Sequence, residues 1–151
     1  MDVIKTNKIS KKQKAQINKL WNDEYPVKLK DRFDLLLNDV QNFNHYLIED
    51  KGEVVAWAVE FEKQKETRFS IIIKNQYQGK GIGKLLINKL KNELDEFYGW
   101  VIDNDFDLKS NGETYKSPLK FYLKLGFEIL ENERINNEIL NAIKIKYSNK
   151  I

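Results

Sequence analysis

"NQYQGKGIGKLLINKL", Asn75 to Leu90, decides the reading of this chain. Three of its seven glycines, Gly79, Gly81 and Gly83, stand at alternate positions there, with Lys80 and Lys84 among them. An apolar segment, "RFSIIIK", comes just before. Ile82, Leu85, Leu86, Leu90 and Leu94 follow at helical spacing. A strand, a glycine turn and a helix start together make an anion site. Glycine lets successive backbone N–H groups converge with no Cβ in the way, and the helix N-terminus adds the positive end of its dipole. The expected ligand is a phosphate or pyrophosphate. The competing reading is a plain glycine turn with solvated lysines.

The spacing discriminates between nucleotide motifs. A P-loop requires G-x-x-x-x-G-K-[ST], and "GKGIGKLL" has neither the spacing nor the hydroxyl. A dinucleotide fingerprint requires G-x-G-x-x-G. Gly79 and Gly81 fit it, but the third glycine would fall at Lys84. Asp103 does follow at about the separation that motif asks. Against it, a hairpin precedes the stretch and too few βα units follow, so Rossmann-like binding is kept only as a rival.

The pattern extends in both directions. "ISKKQKAQINKLW" opens with Ser10 and Gln13 at capping-box spacing and predicts a helix from Lys11 to Asn22. "YPV" breaks it, and a second helical pattern runs through Leu29, Phe33, Leu36, Leu37 and Val40. "HYLIE" and "VVAWAVEFE", joined by "DKGE", predict a hairpin, and "RFSIIIK" a third strand. Beyond the glycine helix come a strand, "FYGWVID", and a polar loop, "NDFDLKSNGETYK". Ser117 and Pro118 start a short helix, "PLKFYLKL", that ends at Gly126. "FEIL" and "NAIKIKY" are the last strands, with a polar loop between them. The order is ααβββαβαββ, an α/β class with a mixed central sheet flanked by helices.

Composition sets the bounds. The 151 residues suit one domain, 1–151, with a single core. With 26 basic and 23 acidic residues, the net +3 gives no argument for nucleic acid. The absence of cysteine excludes a disulfide framework, a thiolate metal site and a cysteine nucleophile, and the single histidine, His45, excludes a histidine-rich metal site. His45 begins a strand and reads as structural or surface. No apolar run approaches the ~20 residues of a membrane span, and the N-terminus lacks a secretory h-region. The expectation is a soluble, cytoplasmic protein, monomer or homodimer, with no metal, membrane or nucleic-acid partner.

"QGKGIG", Gln78 to Gly83, resembles the Q/R-x-x-G-x-G/A signature of the GNAT superfamily of N-acetyltransferases. "FYLKLGF", Phe121 to Phe127, is similar to that superfamily's tyrosine-bearing helix running into a Gly-Phe strand start. A helix and a strand separate the two markers, as in the family, and the order of elements resembles the family from about residue 3 to 147. The resemblance implies acetyl-CoA as donor. It implies that backbone N–H groups of Gln78, Gly79, Lys80, Gly81, Ile82, Gly83 and Lys84 hold the pyrophosphate. The strand before the loop would pair with the pantetheine arm through Ile71 and Ile73. Asn75 stands where many members have proline.

Acetyl transfer to an amine needs a neutral amine, a donor for the oxyanion and a proton for the leaving thiolate. The resemblance assigns that proton to Tyr122; the alternative is that Tyr122 only packs, a role that Phe121 beside it could fill instead. Asp103, at the end of a strand, is the first candidate base, and Glu60 in "WAVEF" the second. Glu60 reads equally as a solvent-facing strand residue, and transfer without a protein base stays open. Trp21 and Tyr25 stand near the turn that helps build the acceptor pocket in this superfamily. The loop after "FYGWVID" is longer than usual, and Tyr115 falls where many members have asparagine. Its acids, Asp103, Asp105, Asp107 and Glu113, point to a small cationic amine or a peptide as acceptor. The alternative function is a non-catalytic acetyl-CoA sensor or interaction domain.

Overall fold

The computed structural model describes residues 1–40 and 42–149; Gln41 and the outermost Lys150 and Ile151 of the expected 1–151 domain lie outside the described residues. Strands β1 (Ile4–Thr6), β2 (Phe43–Asp50), β3 (Glu53–Lys63), β4 (Glu66–Ile73), β5 (Glu96–Val101), β6 (Glu128–Asn136) and β7 (Asn141–Ser148) form one sheet. Its order is β1-β2-β3-β4-β5-β7-β6. Helices α1 (Lys11–Glu24), α2 (Phe33–Leu36), α3 (Ile82–Glu93) and α4 (Leu119–Lys124) cover it, with single 3-10 turns at Val27–Leu29 and Asn75–Tyr77. This is the acyl-CoA N-acyltransferase arrangement: a mixed sheet of seven strands flanked by helices.

Each face of the sheet carries its own core. On one, α3 lays Ile82, Leu86, Ile87 and Leu90 against Tyr46, Ala56, Ala58, Phe69 and Phe97. Fully burying each such leucine contributes roughly 1.5–3 kcal/mol. On the other, α1 lays Ile17, Leu20 and Trp21 against Trp57, Val59, Phe61 and Ile72. The alternation along β3, with Trp57, Val59 and Phe61 one way and Ala56 and Ala58 the other, separates the two cores. The capping box that starts α1 is formed: the Gln13 N–H donates to Ser10 Oγ at 3.0 Å and the Ser10 N–H to Gln13 Oε1 at 2.9 Å.

The expectations differ from the structure in three places. The strand Ile4–Thr6 was not anticipated, because three residues paired at a sheet edge leave no readable period. The second helix shrinks to a 3-10 turn and the single turn of α2; Asp31 and Asp39 take left-handed backbone, each at φ 61°, and interrupt it on both sides. The polar segment after "FEIL" continues as strand β6, an exposed edge strand paired with β7.

The feature that positions the site lies mid-sheet. Every neighbouring pair of strands is antiparallel except β4 and β5, which are parallel and share a single registered pair, Arg68↔Tyr98. Beyond it the two strands diverge towards their C-terminal ends and leave the backbone edge of β4 without a strand partner. The break can form because β4 is held firmly on its other side, in register with β3 from Lys63↔Glu66 to Ala56↔Ile73.

Candidate active site

A cavity of about 760 Å³ occupies the splay between β4 and β5 and is lined by residues from both faces of the sheet. Residues 70–73 of β4 and 99–101 of β5, with Ile102 just beyond, form its flanks. Lys74 N–H donates to Val55 O at 2.9 Å, so Lys74 bonds to β3. By alternation Ile73 and Ile71 direct their backbone groups the other way, into the splay. Their carbonyls already have partners there. Tyr25 Oη donates to Ile71 O at 3.1 Å, and Gln78 Nε2 donates to Ile73 O at 2.9 Å. Their N–H groups remain for a ligand lying along this edge.

The three glycines of the opening stretch do two different jobs. Gly79 and Gly81 have φ of +74° and +84°, and a Cβ on either would meet nothing within 4 Å. Glycine is required there by the left-handed backbone, and the space over it is open. Gly83 sits inside α3, where a Cβ would lie 2.9 Å from both Ile73 Cδ1 and Phe121 Cζ. It allows close packing of helix, strand and α4. The first intrahelical bond of α3 runs from Leu85 N–H to Gly81 O, so the N–H groups of Gly81, Ile82, Gly83 and Lys84 have no helical carbonyl to meet. Open glycine backbone, free helical N–H groups and the dipole end fit a pyrophosphate. The adjoining splay fits an extended, amide-bearing arm, so these residues suit acetyl-CoA. Gly79, Gly81, Gly83, Lys84 and Gln78 line the cavity, whereas Lys80 and Ile82 do not; Ile82 is buried in the core and Lys80 stands over the Tyr77 ring at 5.8 Å.

Tyr122 on α4 lines the same cavity and is 6% exposed. Its ring packs against Phe69, Phe121 and Phe127 at centroid separations of 5.7, 5.2 and 5.3 Å. Burial pushes its phenol well above the ordinary tyrosine range, and the Tyr25 and Tyr115 hydroxyls push it further. It is therefore a protonated donor at any physiological pH. Trp21 and Tyr25 also line the cavity. Trp21 Nε1 donates to Leu29 O at 2.7 Å, and the Tyr25 hydroxyl lies 2.9 Å from Ser70 Oγ.

The two candidate bases stand elsewhere. Asp103 is gripped by Arg134 through contacts of 3.0 and 2.6 Å, and that guanidinium holds its carboxyl below the usual range. Glu60 accepts from Tyr46 Oη at 2.5 Å and from Asn44 Nδ2 at 3.4 Å. Neither lines the cavity. The carboxylate that does is Glu24, which the sequence did not single out. Its Oε2 accepts from the Asn75 N–H at 2.9 Å, and its buried Oε1 lies 2.9 Å from Lys109 Nζ, paired in charge but outside hydrogen-bond geometry. Tyr115, noted only for its alignment, also joins the wall, its ring 6.3 Å from that of Tyr25. A residue at the end of a helix and one in a loop carry no local signal for this; the contact exists only because the loop docks on the α1 end. Val27 N–H donates to Leu108 O at 2.8 Å, and Lys28 pairs with Asp107 at 3.4 Å.

The domain model described as "Acetyltransferase (GNAT) domain" matches residues 41–129, more than half of the chain. The chain belongs to the GNAT acetyltransferase family. Solved structures show the same fold at low identity. An aminoglycoside 6'-N-acetyltransferase complexed with coenzyme A is 15% identical, with 97% of this chain and 96% of that one covered and a TM-score of 0.66. An acyl-CoA N-acyltransferase from Pseudomonas aeruginosa is 12% identical, with 97% and 99% covered and a TM-score of 0.73. A spermidine N-acetyltransferase from Vibrio cholerae, in a mutant form, is 16% identical, with 97% and 94% covered and a TM-score of 0.61. Comparison with curated proteins gives no match. Among the described residues, no helix is long and apolar enough to cross a membrane.

Proposed function

We propose that this GNAT-family chain transfers the acetyl group of acetyl-CoA to a primary amine by direct attack on the thioester. The observation that carries the reading is convergence: the open glycine turn, the unpaired edge of β4 and the buried Tyr122 phenol all meet in one cavity. Bound there, acetyl-CoA supplies an activated acyl carbon and a thiol leaving group. Backbone N–H groups from Gly81 to Lys84 hold the pyrophosphate. The Ile73 and Ile71 N–H groups hold the arm, and the Ile71 N–H is the candidate donor to the oxyanion that develops at the acyl carbon.

Tyr122 acts as general acid. Its raised pKa keeps the proton on the phenol until a thiolate forms nearby, and the proton then passes to sulfur. The acceptor nitrogen forms its bond to the acyl carbon as the carbon–sulfur bond breaks. The proton it sheds restores the phenol, so the exchange balances without a dedicated carboxylate base. This fits the placement of Asp103 and Glu60 outside the cavity, and we assign neither a catalytic role. Trp21 and Tyr25 contribute to the acceptor wall.

The test is CoA release from acetyl-CoA in the presence of an amine panel, for the wild type and Tyr122→Phe. The wild type is expected to turn over. The variant is expected to keep its affinity for CoA and lose kcat. A protein that binds acetyl-CoA and acetylates nothing would instead be a sensor.

A further inference from the structure

The acceptor half of the cavity lies on the α1 face of the sheet, and much of its wall is apolar. Leu29, Leu35, Leu36, Trp100, Ile135 and Leu140 line it. Among the described residues, the charges that line the cavity are one carboxylate, Glu24, against Lys63, Arg68, Lys84 and Lys116. Glu24 is already neutralised by Lys109, and both side chains are about nine-tenths buried. Lys84 belongs to the pyrophosphate end. Arg68 is paired with Glu66, so Lys63 and Lys116 remain as cations with no carboxylate beside them in the wall.

Three of the four acids that the sequence offered as an attraction for cationic substrates are committed elsewhere. Asp103 is bound to Arg134, Asp107 is paired with Lys28, and Asp105 accepts from the Ser117 N–H at 2.8 Å. Glu66, next to Arg68, is shared between Arg68 at 2.8 Å and Lys144 at 2.6 Å. Their charge holds the long loop and the strands in place. Glu113, the fourth of the loop acids, does not line the cavity, and the one carboxylate among the described residues that does, Glu24, is the one held by Lys109.

From this we infer that the acceptor is a monoamine on an apolar body, aromatic or branched, and not a polyamine or aminoglycoside. The inference rests on the acetyltransferase reading above and narrows its substrate class. It separates this chain from structural neighbours that are named for spermidine and aminoglycosides. The reactive nitrogen approaches Tyr122 and Tyr25 through the splay, and the body packs on Trp100 and the leucines. Additional ammonium groups would have to stand beside Lys63 and Lys116 with no unpaired carboxylate in the wall to meet them.

The experiment measures kcat/KM by CoA release for propylamine, butylamine, pentylamine and 2-phenylethylamine, against spermidine and kanamycin. CoA binding is measured in parallel by calorimetry. The expected result is a rise of roughly fourfold per added methylene, with 2-phenylethylamine exceeding both polycations by about tenfold or more. Leu35→Glu adds a carboxylate at a position that is already 56% exposed and so tolerates it. That variant is expected to narrow the gap by raising spermidine turnover. A flat alkyl series, or a preference for spermidine or kanamycin, overturns the acceptor assignment and leaves the acetyltransferase reading standing. CoA binding with no apolar amine acetylated overturns it equally. Failure to bind CoA at all removes the reading on which it rests.

Discussion

Replacing Gly81 with alanine isolates what the glycine turn does. Gly81 caps α3 with φ of +84° and ψ of 3°, and a Cβ there would meet no atom within 4 Å. The change therefore introduces strain without a clash. An L-residue held in that conformation costs about 1–2 kcal/mol. The strain has two places to appear. If the free protein keeps the turn, stability falls, and for a domain of this size the melting temperature drops by about 2–8 °C. If the free protein relaxes the turn, the strain reappears when the N–H groups must converge on the pyrophosphate, and CoA affinity falls about 5- to 30-fold. Thermal melts and CoA calorimetry on the same variant should give losses that together account for the strain. Gly81→Asn should lose less, since asparagine enters the left-handed region more readily. A Gly81→Ala protein that melts and binds CoA like the wild type would refute the assignment of this turn.

Tyr122→Phe should lower kcat by about 10²–10⁴-fold and leave CoA affinity nearly unchanged, because the ring contacts to Phe69, Phe121 and Phe127 survive. Log kcat/KM should climb with pH towards the acceptor amine's pKa, about 10, with no descending limb before it, since burial holds the Tyr122 proton on; a limb falling near neutrality would assign the acid elsewhere. His45, buried and accepting from Trp57 Nε1 at 2.9 Å, has its pKa lowered by burial to about 4. The unfolded chain takes up that proton first as the pH falls, so stability drops from about pH 6.5 towards pH 4, by up to ~3 kcal/mol; His45→Gln should flatten denaturation midpoints over that window. Lys109→Met should destabilise by about 3 kcal/mol by leaving Glu24 buried and unpaired, and Glu24→Gln in the same chain should restore much of it.

The proposed cofactor side is legible in the sequence and the proposed acceptor side is not, for physical reasons. The glycine turn, the helix period through Leu86 and Leu90, the capping box at Ser10 and the hairpin around Gly52 are local patterns. They survive because each is enforced within a few residues. Gly83 looked like its neighbours, yet it serves packing, because its contacts are with Ile73 and Phe121, remote in sequence. The acceptor wall is assembled from the end of α1, a loop and two distant strands. Glu24 meets Lys109, and Tyr25 reaches Ser70 and Ile71, across separations that no periodicity records. The loop acids are hard to read from sequence for the same reason. A carboxylate in sequence is a free charge, whereas Asp103 in the fold is half of an ion pair.

Calorimetric titration with CoA and with NAD tests the central claim most directly, that the glycine turn and the β4–β5 splay form a coenzyme A site. The account predicts saturable binding of one CoA per chain, weakened in Gly81→Ala, and no binding of NAD. Tight NAD binding with no response to CoA or acetyl-CoA would contradict it.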